Sequence, residues 1–290
     1  MILVTGERGL IGSELLSALQ QLPGVLVAAV ADTNEASELA CVESVDWVFH
    51  MGAVSETTAQ DWSQLCELNI ESTKTWAQWC EDQGAGLTYA SSASVYGPWS
   101  NSPEWGPVQP LHLYGVSKLT VDAWMQSQTW QYPKQGMRFF NVYGRNEGHK
   151  AQPSPVRRFI EQAITQRRVT VWQHEGRLGS RDFVSIDDCI DAMLRLKACR
   201  AATGVYNIGT GQQLTFMHIA QSLQRKFGIA NLQIQTVPMP SSMVPTYQWE
   251  SCADVTKLRR VLGDWNPKTV DEWLDANFDG LYNKINEEIK

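Results

Sequence analysis

Long apolar runs are missing from this chain. None nears the ~18 residues that a membrane-crossing helix needs, so no spanning segment is expected. Positive charge is scarce as well. Lysine and arginine number 24 against 31 aspartates and glutamates, a net charge of −7. That balance excludes a nucleic-acid binder that works by broad charge neutralisation. The cysteines, Cys41, Cys66, Cys80, Cys189, Cys199 and Cys252, never form a Cys-x-x-Cys pair. No metal site is expected from them, and scattered thiols suit a reducing compartment. Repeats and low-complexity linkers are lacking too. An apolar run that starts at Ile2 leaves no room for a signal peptide, so the cytoplasm is the expected location.

What is present is an ordinary globular composition. At 290 residues, 43% of them hydrophobic, the chain can bury a full core without disulfides or metal. The apolar stretch Ile2–Thr5 ends in a glycine turn and reads as a buried strand. Helical spacing follows over 10–21, stopped by Pro23-Gly24. A second strand spans 25–31 and closes at Asp32, where Asp32-Thr33-Asn34-Glu35 has the capping-box pattern of a brief helix. Further strands are expected at 46–50, 87–91 and 136–141, with helices at 62–83 and 114–130 between them. Strand and helix alternate, the pattern of a parallel sheet covered on both faces.

Beyond Tyr143 the alternation loosens. A helix at 156–166 and short strands at 169–172 and 182–185 suggest a smaller lobe, and Val205–Ile208 is expected to return to the main sheet. The fold class is therefore α/β, a Rossmann-like doubly wound parallel sheet with a smaller interleaved substrate-binding lobe. Residues 1–143 with 184–212 would form the dinucleotide-binding domain, and 144–183 with 213–290 the lobe.

Gly6-Glu7-Arg8-Gly9-Leu10-Ile11-Gly12 is a Gly-x-x-Gly-x-x-Gly loop between a strand and a helix. Glycines there let the backbone turn tightly and approach a pyrophosphate, which the helix N-terminus then binds through its N–H groups and dipole. Asp32 stands where an acid accepts hydrogen bonds from an adenosine ribose, which favours NAD. Arg8 is placed to pair with a 2′-phosphate, which favours NADP. The two cues disagree, and NADP or NAD stays open.

Tyr114 and Lys118 form a Tyr-x-x-x-Lys pair that shares one face of a helix. A free tyrosine has a pKa near ~10, too high for a base at neutral pH. A nearby ammonium stabilises the phenolate and lowers that value. Deprotonated, Tyr114 can take the proton of a substrate hydroxyl while that carbon is oxidised. Ser92 lies at the carboxyl end of the preceding strand, where open α/β sheets bind ligands, and can bond the reacting oxygen. Ser91 and Ser94 read as structural.

Together the glycine loop, the strand Ser91-Ser92-Ala93-Ser94-Val95-Tyr96-Gly97, the Tyr-x-x-x-Lys pair and Asn141-Val142-Tyr143-Gly144 resemble the extended short-chain dehydrogenase/reductase family over nearly the whole chain. That family acts mainly on nucleotide sugars. The segments Phe49-His50-Met51-Gly52-Ala53, Arg138-Phe139-Phe140, Glu147-Gly148-His149-Lys150 and Arg181-Asp182-Phe183-Val184 resemble its epimerases that use two proton-transfer groups. The resemblance implies Tyr114 and Lys150 as those groups, with Lys118 and Ser92 beside them. It implies cofactor contacts at Gly6, Arg8, Gly9, Leu10, Ile11, Gly12, Asp32, Met51, Gly52, Ala53, Asn69, Tyr114, Lys118, Val142 and Lys150. It also implies contacts to a nucleotide-diphosphate sugar at Ser92, Asn141, Arg181 and Tyr247. Arginine suits diphosphate because its planar fork binds phosphate oxygens in pairs.

The chain departs from the family in two places. Only residues 33–45 separate Asp32 from Asp46, where the family normally fits another helix and strand, including an acid that holds the adenine, so weaker cofactor retention is expected. In the sugar pocket Phe159 stands where the family has a polar contact, and Trp172-Gln173-His174-Glu175 replaces the usual loop. A reductase or 4-epimerase of another nucleotide sugar is thus an alternative. A dehydratase is disfavoured, because Ser92-Ala93-Ser94 does not match the Thr-Asp-Glu set. A cofactor-sensing protein without activity would tend to lose Tyr114, Lys118 or Lys150. The helix at 62–83, with Trp76 and Trp79, and the next long helix would build a homo-oligomeric contact or else face the core.

Overall fold

The computed structural model describes residues 1–30, 44–150 and 152–290. Asp32 and the capping-box segment after it lie outside the described residues. The chain opens with strand β1 (Ile2–Thr5), helix α1 (Leu10–Gln20), and strands β2 (Val27–Val30) and β3 (Trp47–His50). A long helical stretch follows as α2 (Trp62–Leu65), a π-helical segment Cys66–Glu71, and α3 (Ser72–Gln83). Then come β4 (Gly86–Ser92), a 3₁₀ turn Ala93–Tyr96, α4 (Leu113–Ser127), β5 (Lys134–Phe139) and β6 (Asn141–Tyr143).

The rest runs α5 (Pro155–Gln166), β7 (Arg168–His174), β8 (Arg177–Leu178), β9 (Ser180–Arg181), β10 (Phe183–Ser185) and α6 (Ile186–Ala198). After it stand β11 (Gly204–Ile208), β12 (Leu214–Thr215), α7 (Phe216–Phe227), β13 (Gln233–Pro238), α8 (Thr256–Leu262) and α9 (Val270–Ile289). Among the described residues the expected elements recur with shifted ends. At 62–83 the predicted single helix carries a π-helical turn in its middle, and the strand expected at 182–185 begins at Phe183.

Six strands form one parallel sheet in the order β11-β5-β4-β3-β1-β2. β1, β3 and β5 are buried at every position, as strands covered on both faces must be. The expected return of Val205–Ile208 is met, because β11 pairs with β5. The smaller lobe has its own sheet, β13-β7-β8. Its core gathers Val156, Phe159 and Ile160 of α5, Leu223 of α7, and Trp273 and Leu281 of α9. Ala253, Val255, Leu258 and Trp265 pack instead with the first core, beside Val4, Leu15 and Ile208. Trp76 is fully buried among Leu3, Val48 and Leu87, so it faces inward and is not part of an exposed oligomer contact.

The sheet and the helix that carries Tyr114 are joined by one buried ion pair. Asp122 on α4 accepts hydrogen bonds from Arg138 Nε of β5 at 2.8 Å, and from Tyr89 and Ser91 of β4 at 3.1 and 2.9 Å. Arg138 also donates to Tyr96 and to the carbonyl of Glu104. Removing one partner of such a pair leaves a buried charge without compensation. Asp122→Ala is expected to cost about 3–5 kcal/mol, read as a drop in the urea midpoint with the slope unchanged.

Candidate active site

β1 ends at Thr5, and the chain turns through Gly6 with φ at +68°. The loop then lies so close to its neighbours that side chains are excluded. A Cβ on Gly6 would stand 2.5 Å from the Gly52 nitrogen, and one on Gly12 would stand 2.1 Å from the Gly6 carbonyl oxygen. Thr5 Oγ1 accepts from Gly52 N–H at 3.1 Å and shares a hydrogen bond with His50 Nδ1 at 2.8 Å, which locks the loop after β3 against the glycine turn. No side chain caps the first turn of α1. Its N–H groups therefore point at the cleft with the positive end of the helix dipole.

That cleft is a cavity of about 630 Å³ lined by Arg8, Gly9, Leu10, Ile11, Gly12, Met51, Ala53, Ser92, Tyr114, Lys118, Asn141, Val142 and Lys150, together with other residues. The cradle and its size fit a nicotinamide dinucleotide. Gly6 and Gly52 shape the wall from behind. Asn69 lies beneath it and is not on the cavity surface. Within the π-helical turn its side chain bonds Val54 N–H at 2.8 Å, Val54 O at 3.1 Å and Ser117 Oγ at 3.0 Å. Asn69 thus ties the loop after β3 to α4 one residue from Lys118, a use of a π-turn at a site.

The Tyr114 and Lys118 side chains are buried, and Lys118 Nζ lies 5.8 Å from the centre of the Tyr114 ring. Its hydrogen bond goes to the Ala90 carbonyl at 2.9 Å. Burial pushes the Tyr114 phenol above its ordinary value, and a hydrogen bond from Ser92 works the other way. The expected lowering of the Tyr114 pKa by the ammonium is therefore not what dominates in this geometry; burial outweighs it. Burial also pulls Lys118 down from 10.5 to about 8, against the opposing pull of Asp122. His50, beside it, is held neutral by burial and by the Lys118 charge, with a pKa near 3. Ser92 accepts from Ser94 N–H at 3.1 Å as it caps the 3₁₀ turn.

The remaining expected residues divide. Lys150 reaches the cavity on the loop after β6, 3.8 Å from the Glu147 carboxylate. Asn141 also lines it, donating weakly to Asp182 O and Ser251 Oγ. Arg181 and Tyr247 are not on its wall. The Arg181 guanidinium is buried between the Phe216 and Tyr247 rings, 5.6 and 4.9 Å from their centres. Gln248, which sequence reasoning missed, takes the place next door. It lines the cavity, and its buried Nε2 meets no acceptor among the described residues. No spacing pattern marks it; the fold alone carries it there. Phe159 belongs to the lobe core rather than the sugar pocket. Arg157 is paired with Glu161 and Glu288, and Arg158 lies over Trp172.

A glycine cradle at the end of the first strand, sharing a cavity with a buried tyrosine and lysine, defines a class: dinucleotide-dependent α/β enzymes that work on a hydroxyl-bearing carbon. The chain belongs to the NAD dependent epimerase/dehydratase family, whose sequence pattern matches residues 2–209. It is 31% identical to an ADP-L-glycero-D-manno-heptose-6-epimerase of Alkalilimnicola ehrlichii across 89% of this chain and 90% of that one. The fold is shared with the Helicobacter pylori ADP-L-glycero-D-manno-heptose-6-epimerase, at a TM-score of 0.86 and 24% identity over 97% of this chain and 96% of that one. It is shared too with a Bacillus cereus UDP-glucuronic acid 4-epimerase in complex with UDP-glucuronic acid and NAD, at a TM-score of 0.80 and 23% identity over 99% of each. Among the described residues no helix is long and apolar enough to cross a membrane.

The depressed Lys118 pKa has a testable consequence. The folded chain holds this proton more weakly than the unfolded one, so stability rises with pH between about 8 and 10.5. The cost of burying the ammonium is complete below pH 8 and vanishes above 10.5. Lys118→Met should therefore gain on the wild type by about 3 kcal/mol more at pH 7 than near pH 10.5. Urea unfolding at the two pH values measures it, and an equal difference at both would contradict the shift.

Proposed function

We propose that the chain is a nucleotide-sugar epimerase that oxidises a carbinol carbon to a ketone and reduces it again on the other face. The observation that carries this reading is that Tyr114 and Lys150, from different elements, line the same cavity as the glycine cradle. A bound NAD or NADP would supply the two-electron oxidation and reduction of the sugar carbon. Gly9, Leu10 and Ile11 would hold its pyrophosphate, Met51, Ala53 and Val142 would flank it, and Lys118 would hold its ribose. As the phenolate, a form that the Ser92 hydrogen bond favours and burial opposes, Tyr114 would take the hydroxyl proton as the carbon is oxidised. The ketone turns, and Lys150 gives a proton to its oxygen as the carbon is reduced from the opposite face. The carbon would return to its original oxidation state, so no net oxidant is needed, and the proton that Tyr114 gains and Lys150 loses would be exchanged with solvent to reset the site.

ADP-D-glycero-D-manno-heptose is the substrate we favour, on the strength of the curated relative at 31% identity. Ser92 and Asn141 would bond the sugar, and Arg181 and Tyr247 the diphosphate side after a local rearrangement that frees the guanidinium. The second reading is a 4-epimerase or reductase of another nucleotide sugar, kept because the wall carries Gln248 while Arg181 and Tyr247 lie off it. The dinucleotide domain would comprise 1–143 with 184–212 and the lobe 144–183 with 213–290, except that residues 253–265 pack with the first core, in a cytoplasmic homo-oligomer.

Proton NMR of ADP-D-glycero-D-manno-heptose incubated with the protein and a trace of NAD or NADP tests the proposal. The L-glycero epimer should appear without net cofactor reduction; no change would move the search to other nucleotide sugars. Tyr114→Phe should lower turnover by about 10²–10⁴-fold with cofactor binding kept, and unchanged turnover would remove Tyr114 from its role.

A further inference from the structure

The loop that carries Lys150 is a thin wall. It separates the cavity described above from a second one of about 740 Å³ behind it, lined by Glu7, Gly148, Arg157 and Glu288 among others. His149 reaches both cavities. A segment with open space on either side gains little from side-chain packing. Its shape comes from hydrogen bonds: Arg145 and Asn146 bond outward to Asp187, Asn277 and Glu14, and the bonds that join its two stems go to Glu147.

The Glu147 carboxylate is 1% exposed. Its Oε1 accepts from Gly144 N–H at 3.0 Å and from Ser154 Oγ at 2.7 Å. Its Oε2 accepts from Ser154 N–H at 2.5 Å and faces Lys150 Nζ at 3.8 Å. One buried charge therefore ties both stems of the loop together and stands beside the lysine. Hydrogen bonds to an ionised acceptor are about twice as strong as neutral ones. The outer side is clasped by α9. A Cβ on Gly148 would lie 2.7 Å from Glu288 Oε2, which in turn accepts from Arg157, and Lys284 donates to Asn146.

We propose that Glu147 is a positioning residue for Lys150: its buried carboxylate holds Gly144 and Ser154 together and so sets the lysine's ammonium on the wall of the cavity. This rests on the reading of Lys150 as the second proton-transfer group. The alternative role is a carboxylate that stabilises the fold without bearing on the lysine.

The test is a double-mutant cycle of Glu147→Gln with Lys150→Met in the full chain, with ADP-D-glycero-D-manno-heptose as the probe. Glu147→Gln should lower kcat by roughly 10²-fold with KM and cofactor affinity little changed. In the Lys150→Met background it should have almost no further effect, because both changes remove the same function. Additive effects, or a loss of cofactor affinity and KM together, would overturn the proposal while leaving Lys150 in its role. Full turnover in Lys150→Met alone would instead sink the reading of Lys150, and with it this inference. Amide hydrogen exchange needs no turnover and covers the case where wild type leaves that sugar unchanged. Glu147→Gln should speed exchange at Gly144 and Ser154 at least tenfold, with β1 and β4 unaffected. Unaltered exchange at those two amides would overturn the proposal. If Glu147→Gln does not fold, Ser154→Ala, which withdraws one of the three bonds and the cap on α5, is put through the same cycle with a smaller fall in kcat expected.

Discussion

The buried carboxylate of Asp122 is the constraint on which this architecture turns. It sits one helical turn beyond Lys118 on α4, and its partners come from β4 and β5. Helix, sheet and the segment that holds Glu104 are thereby fixed relative to one another, since Arg138 extends the network to Tyr96 and Glu104. A charge so deep is tolerated because a guanidinium and two hydroxyls donate to it. The same carboxylate supports the Lys118 ammonium from below, against the burial that would otherwise strip its proton. Scaffold and chemistry are in this sense one network.

A second constraint acts at the other wall of the cleft. Backbone approaches too tight for any side chain bring the glycine turn against Gly52 and against the start of α1. Thr5 and His50 close that corner with a hydrogen bond in a place water does not reach. The cradle is therefore rigid, while the face opposite is a loop flanked by cavities. Such a division suits the proposed reaction, in which a cofactor lies on fixed backbone and a sugar ketone turns within reach of Tyr114 and Lys150.

Burial in the cleft also explains why the tyrosine and lysine differ from a simple ion-pair picture. Both groups are removed from water, so the phenol is pushed up and the ammonium pulled down. Neither charge is stabilised chiefly by the other at a ring-centre separation of 5.8 Å. The Ser92 hydroxyl is the nearer aid to a phenolate.

The sequence by itself determined the parallel sheet, the glycine loop, the Tyr-x-x-x-Lys pair and the Glu-Gly-His-Lys segment. Those are local patterns: the largely apolar runs of β1 and β3 mark strands covered on both faces, and a turn that admits no Cβ must be glycine. The tertiary structure alone decided what long-range contacts control. It placed Gln248 on the cavity wall and Arg181 behind the Tyr247 ring, and it turned Phe159 into the lobe core. Asn69, read as a cofactor contact, became a strut because a π-turn points it at Val54 and Ser117. Residues 253–265 joined the first core rather than the lobe, since apolar side chains pack against whichever surface the chain's path offers them. Spacing along the chain carries no record of that path.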